Sequence, residues 1–319
     1  MKEQLQTTQQ TKKYDVACNS ANDLESDKAL VGSRNYWRRR EFCTGAFSFS
    51  LLRSSFAAES GPSGTVLLLR VRDRQLLLAG NPSAAKQMIF PPGSTVKPFS
   101  LLALLENGRL RADEEYLCPG RLTIAGRSLN CSHPTSPLPM NVPRAIAYSC
   151  NCAVAHFAQR LRPGELPQAL ERNGLASQTG LLPGGEALGF IKDGLRGPDC
   201  LLQALGEEGV QVTALELLMA YKRLANRVRE SVMAPVLAGL EGAVEFGTAQ
   251  AARLERVQVA GKTGSVRTSS GRHGAWFAGF APSRSPEVVV TVFVAGASGG
   301  ADAAPIAGQL LRRYFAGRT

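Results

Sequence analysis

Nowhere in these 319 residues do about 18 consecutive apolar side chains occur, the length a helix needs to cross a membrane, so a transmembrane anchor is not expected. No internal repeat of solenoid or propeller period appears. No zinc-finger, RNP or basic-helix pattern accompanies the basic residues, which argues against nucleic acid as a partner. Disorder throughout is excluded too, since 44% hydrophobic and 20% charged residues suffice to bury a full core. An even complement of cysteines is also missing. Of seven, five lie beyond residue 58 (Cys118, Cys131, Cys150, Cys152 and Cys200), so at least one stays unpaired in a monomer.

What is present begins with charge. The formal net charge is +11, which suits a polyanionic neighbour such as a cell-wall polymer or anionic lipid. Residues 1–36 are polar and without periodicity. Arg38-Arg39-Arg40, a short apolar stretch to Leu52 and Ser55-Phe56-Ala57 then read as an export signal. Arg39-Arg40-Glu41-Phe42 also resembles a twin-arginine motif. We therefore expect a disordered extension plus export signal over 1–58, one domain over 59–319, and an exported, periplasmic or extracytoplasmic location. The remaining domain carries 28 basic against 20 acidic residues and stays basic.

Residues 64–71 and 75–79 are strand-like across Arg72-Asp73-Arg74, which predicts a β-hairpin. Pro91-Pro92-Gly93 stops the chain, and Ser94 is expected to open a helix to about Glu106. Helical patterns follow at 144–161, 166–173 and 213–225 among Pro- and Gly-rich loops. Strands return at 257–260, 275–280 and 288–294, and a last helix is expected over 304–315. The fold class is therefore α+β: an antiparallel five-stranded sheet flanked by N- and C-terminal helices, with a mostly helical subdomain inserted at about 100–255.

Three short patterns carry the chemistry: Ser94-Thr95-Val96-Lys97, Ser149-Cys150-Asn151 and Lys262-Thr263-Gly264. Each is weak alone; together and in this order they supply a nucleophile, a base, a proton relay and an anion clamp. A serine hydroxyl needs an adjacent base, and Lys97, one helical turn on, qualifies once burial and a second cation, Lys262, depress its pKa. Ser149, at the turn of Tyr148-Ser149-Cys150-Asn151, on or beside a helix, can pass a proton to a leaving amine, and Asn151 offers amide contacts to substrate or to Lys97. Lys262 and Thr263, at a strand end, suit a substrate carboxylate, while Gly261 and Gly264 are expected to let a substrate strand approach that edge. Backbone N–H groups of Ser94 and Ser265 would form the oxyanion hole. No cofactor or metal enters this chemistry.

Residues 61–315 resemble the transpeptidase domain of penicillin-binding proteins. The likeness rests on Pro92-Gly93-Ser94-Thr95-Val96-Lys97-Pro98-Phe99, on Ala147 through Ala153 followed by Phe157, and on Leu182–Glu186 and Phe246–Ala249. The resemblance implies an active-site serine acylated by D-Ala-D-Ala peptidoglycan stem peptides and, covalently, by β-lactams as their mimics. Ser265 departs from the threonine usual after K-T-G. No glycosyltransferase or pedestal module is evident, so a stand-alone domain is expected. The alternatives are hydrolytic (D,D-carboxypeptidase or β-lactamase) or a non-catalytic penicillin-sensing or wall-binding module. Glu171-Arg172-Asn173-Gly174-Leu175 does not fit the E-x-x-L-N loop of class A β-lactamases.

Cys118 and Cys131 flank a predicted hairpin at Ala125-Gly126, and three readings stay open: a disulfide, free thiols, or a zinc site with His133 and an unassigned fourth ligand. His156 is read as a packed histidine, and Arg272 and His273 as a solvated loop. The role of Glu186, part of one landmark, stays open.

Overall fold

The computed structural model describes residues 64–134, 139–267, 271 and 273–317. The export segment, the 58/59 boundary, any helix before residue 64 and Arg272 lie outside the described residues.

Strand β1 (Thr65–Arg70) turns at Val71–Gln75 into β2 (Leu76–Gly80), and the turn is held by a bidentate Arg70–Asp73 pair. Helix α1 (Pro82–Gln87) follows, capped by the Asn81 side chain. A 3₁₀ turn (Gly93–Val96) leads into α2 (Lys97–Glu106). The predicted helix thus starts three residues late: Pro98 suits the first turn of an α-helix, and the chain ahead of it tightens to 3₁₀. The insert continues with the hairpin β3 (Thr123–Ile124) and β4 (Arg127–Ser128).

Next come α3 (Val142–Ala147), α4 (Asn151–Ala158), α5 (Glu165–Arg172), β5 (Phe190–Ile191), α6 (Gly197–Leu205) and β6 (Val210–Gln211). Helix α7 (Ala214–Asn226) has a complete capping box, Thr213 with Glu216, and α8 (Ala234–Glu245) closes the insert. The helical pattern expected over 144–161 is divided into α3 and α4 at the expected turn, where the Ser149 backbone is left-handed (φ 54°).

The chain returns to the sheet as β7 (Ala260–Arg267), β8 (His273–Ala281) and β9 (Val288–Ala295), and ends in α9 (Ala304–Ala316). The sheet is antiparallel in the order β2-β1-β9-β8-β7. Period-two alternation divides its side chains between two cores. Leu67, Leu69, Trp276, Phe280 and Phe293 pack with the helical insert. Val66, Leu68, Phe277, Val290 and Val292 pack with Leu310 and Leu311 of α9. The architecture is the expected α+β one, and it leaves β7 on the sheet edge, beside the turn that carries Ser94.

Candidate active site

Close backbone approach sets the position of Ser94. Gly93 has φ 54°, and a Cβ there would lie 2.7 Å from Val266 Cγ1 and 3.1 Å from the Ser265 carbonyl. A Cβ on Gly264 would lie 2.8 Å from the Pro92 carbonyl and 3.0 Å from Thr95 Cγ2. Only glycine permits this join of turn and strand. The turn is gripped elsewhere through its backbone. The Tyr221 hydroxyl donates to the Thr95 carbonyl (2.9 Å), Trp276 Nε1 to the Pro91 carbonyl (3.0 Å) and the Gly93 N–H to the Gly206 carbonyl (3.0 Å). The Ser94 side chain is partly exposed and lines a cleft.

Lys97 is fully buried. Its Nζ donates to the Ser149 carbonyl (2.7 Å), the Ser149 hydroxyl (3.1 Å) and Asn151 Oδ1. Asn151 Nδ2 in turn donates to the Leu129 carbonyl (3.0 Å), which fixes the amide's orientation. Burial brings the Lys97 pKa down to about 8, against the opposing pull of Cys150, Cys131, Glu207 and Cys152. A left-handed non-glycine residue costs roughly 1–3 kcal/mol, and at Ser149 it aims both oxygens at the lysine.

Lys262, Thr263 and Gly264 lie near the start of β7, not at a strand end. Lys262 is also fully buried, and its Nζ donates to the Thr263 carbonyl (3.1 Å). Burial first, and the Lys97 cation second, hold its pKa well below the usual lysine range. Thr263 Oγ1 donates to Thr248 Oγ1 (2.8 Å). The Ser265 hydroxyl accepts from the Gly299 N–H (3.1 Å). The space over Gly261 is taken by the Phe277 ring and that over Gly264 by Pro92 and Thr95. Internal packing therefore requires glycine at both positions.

A polar cleft of about 220 Å³ unites the motifs. Its lining includes Ser94, Ser149, Asn151, Thr263 and Ser265. Lys97 and Lys262 stand behind it, buried, and Gly264 does not line it. Sequence reasoning missed Ser132, Glu207, Ser298 and Gly300 in this lining, and had Thr248 only as part of a landmark. Glu207 is the chemically weighty omission. Burial raises its pKa, while Arg127 (3.1 Å from Oε2) and Lys97 favour its charged form. The signal for it was faint: an acidic pair between Gly206 and Gly209, at a sharp turn.

Glu186 accepts hydrogen bonds from the Thr179 N–H (2.6 Å) and hydroxyl (2.8 Å), which makes it a loop brace. His156 stacks on Tyr116 (centroids 4.3 Å apart), a packed histidine as expected. The cysteines among the described residues are free, so Cys118 and Cys131 do not form a disulfide. They gather with His133 and Cys150, and among the described residues those four are placed to hold a metal ion.

Residues 64–312 match the family model for the penicillin binding protein transpeptidase domain. Penicillin-binding protein PbpB of Mycolicibacterium smegmatis is 26% identical over 302 residues, covering 77% of this chain and 46% of that protein. Peptidoglycan D,D-transpeptidase MrdA of Acinetobacter baumannii is 23% identical, covering 70% of this chain and 42% of that protein. The chain thus spans less than half the length of these curated relatives. Among solved structures, the transpeptidase domain of Burkholderia pseudomallei penicillin-binding protein 3 overlays with a TM-score of 0.71 at 21% identity. That overlay covers 80% of this chain and 88% of the other. Four-fifths of the chain, the order of its motifs and the way they meet at one cleft agree: it belongs to the family of penicillin-binding protein transpeptidase domains.

Proposed function

We propose that this chain is a serine D,D-transpeptidase that acts on D-Ala-D-Ala stem peptides of peptidoglycan through an acyl-enzyme on Ser94. The observation that carries the proposal is the setting of Lys97: a buried amine shared by Ser149 and Asn151, on the helix that follows the Ser94 turn. In its neutral form the amine accepts the Ser94 proton as Oγ attacks the penultimate D-Ala carbonyl. Ser149 returns a proton to the departing D-Ala nitrogen. The backbone N–H groups of Ser94 and Ser265 receive the developing oxyanion. Thr263 meets the substrate carboxylate, with the field of Lys262 behind it. An amine from a neighbouring strand of the wall then takes the acyl group and frees Ser94. β-Lactams enter by the same attack.

Export fits this chemistry, since the wall lies outside the cytoplasm, and we place the domain at residues 59–319 behind a 1–58 leader. No helix among the described residues is long and apolar enough to cross a membrane.

One observation favours a second, hydrolytic reading, as a D,D-carboxypeptidase or β-lactamase. Glu207 places a carboxylate at the cleft, where it can draw a proton from water attacking the acyl-enzyme.

A fluorescent penicillin tests both. Stable labelling that disappears in Ser94→Ala is expected, and labelling that survives in that variant refutes the Ser94 assignment. With a D-Ala-D-Ala peptide, exchange of the terminal residue for an added D-amino acid supports transfer, whereas release of free acid alone supports hydrolysis.

A further inference from the structure

Three sulfurs and one imidazole crowd into a small volume beside the cleft. The donor atoms of Cys118, Cys131, His133 and Cys150 all lie within 4.8 Å of one another. Cys118 Sγ is 3.7 Å from Cys131 Sγ and 3.6 Å from His133 Nε2, and Cys131 Sγ is 3.7 Å from Cys150 Sγ. A tetrahedral zinc ion with ordinary Zn–S and Zn–N bonds spaces its ligands about 3.8 Å apart for two sulfurs and about 3.6 Å for sulfur and nitrogen. Three of the cluster's six edges already have those lengths, and the other three are no longer than 4.8 Å.

The surroundings match as well. His133 Nδ1 lies 2.9 Å from the Pro134 carbonyl. A proton there is donated to that oxygen, which leaves the Nε2 lone pair directed at the sulfurs. The Gly120 N–H points at Cys118 Sγ (3.3 Å) and the Ala153 N–H at Cys150 Sγ (3.4 Å), donors that favour thiolates. Cys152 lies 3.5 Å from Cys131 but also donates to the Arg121 carbonyl, and it stands outside the group of four.

We propose that Cys118, Cys131, His133 and Cys150 bind one zinc ion, with Cys150 as the ligand the sequence left unassigned. Loading breaks three S–H bonds and forms three Zn–S bonds and one Zn–N bond. Three protons leave to solvent, zinc stays divalent, and no electron is transferred. The site has four protein ligands and is closed, which is the structural class. Its place gives it a second effect. Cys150 lies between Ser149 and Asn151, and Cys131 follows the Leu129 carbonyl that Asn151 grips. The ion therefore ties the segment after the β3–β4 hairpin to the start of α4 and sets the corner that holds Lys97. The metal assignment stands whether or not Ser94 acylates, because its readout is spectroscopic.

The test uses the full chain, purified under reducing conditions and stripped with a chelator. Titration with Co²⁺ is expected to saturate at one ion per chain, with sulfur-to-cobalt charge-transfer and tetrahedral d–d bands that Zn²⁺ bleaches. Zn²⁺ is expected to raise the Tm of the stripped chain. Cys118→Ser and Cys150→Ser should each weaken zinc binding by more than about 100-fold, beyond what loss of a merely supporting group does. Cys152→Ser should leave stoichiometry and spectrum intact. Absence of the charge-transfer band in the unaltered chain overturns the proposal even where a variant misfolds. Loss of binding in Cys152→Ser with retention in Cys150→Ser overturns the ligand set.

Discussion

Lys97 donates to both oxygens of Ser149, the carbonyl at 2.7 Å and the hydroxyl at 3.1 Å, and so fills the space that the left-handed turn at Ser149 opens. The amine needs the turn to satisfy its protons without water. The turn needs the amine to offset an unfavourable backbone.

Removing the amine tests its part in acylation. Lys97→Ala should cut the rate of penicillin labelling by at least about 100-fold, the lower end for loss of a general base. Lys97→Arg should not restore it, because a guanidinium stays protonated. Near-normal labelling of either folded variant, with fold checked by circular dichroism, removes Lys97 from the mechanism.

The same group predicts the pH profile. Its pKa lies at about 8, and only the neutral amine accepts a proton. Labelling should therefore rise about tenfold per unit as pH increases toward 8 and level off above it. The charged and titratable groups facing the amine are Lys262, Glu207, Cys131, Cys150 and Cys152. A rate that falls or stays flat over that range contradicts a neutral Lys97 as base.

Backbone strain at Ser149 separates stability from activity. Ser149→Gly and Ser149→Ala both lose the hydroxyl, yet only glycine accepts φ 54° freely. The glycine variant should be the more stable by about 1 kcal/mol, with both slowed in acylation. Equal denaturation midpoints would show that the turn relaxes when the hydroxyl is gone.

At the join of turn and strand, Gly264→Ala would put a methyl 2.8 Å from the Pro92 carbonyl. We expect a loss of about 1–3 kcal/mol in unfolding free energy and a displaced Ser94, hence slow labelling. Unchanged Tm and labelling would mean that the join tolerates more room than its geometry suggests.

Glu207→Gln decides how the acyl group leaves. If water is activated there, acyl-enzyme lifetime should lengthen by about 100-fold with little change in acylation. An unchanged lifetime leaves transfer to an amine as the route.

Much of this was legible in the chain. The first hairpin followed from two strand-like runs around Arg72-Asp73-Arg74, and the three motifs named four of the residues that line the cleft, Ser94, Ser149, Asn151 and Thr263. The turn at Tyr148–Asn151 was legible, but its left-handed backbone at Ser149 was not, because the bond to Lys97 that accompanies it comes from 52 residues away. A strand was expected over 257–260, but β7 runs over Ala260–Arg267: glycines weaken strand propensity in general, yet contacts with Phe277, Pro92 and Thr95 require Gly261 and Gly264 there. Glu207 and Ser298 reach the cleft only through tertiary folding.

Tyr221, Trp276 and Gly206 grip the Ser94 turn through main-chain atoms, and the turn's side chains do not enter those bonds. Gly93, which admits no side chain, and Thr95, whose hydroxyl donates to the Pro92 carbonyl (2.7 Å), are held to their identities, while the grip itself asks nothing of the other side chains in the loop. Outline outlasts spelling in such a lineage, and ancestry stays recognisable in three dimensions after most letters have changed.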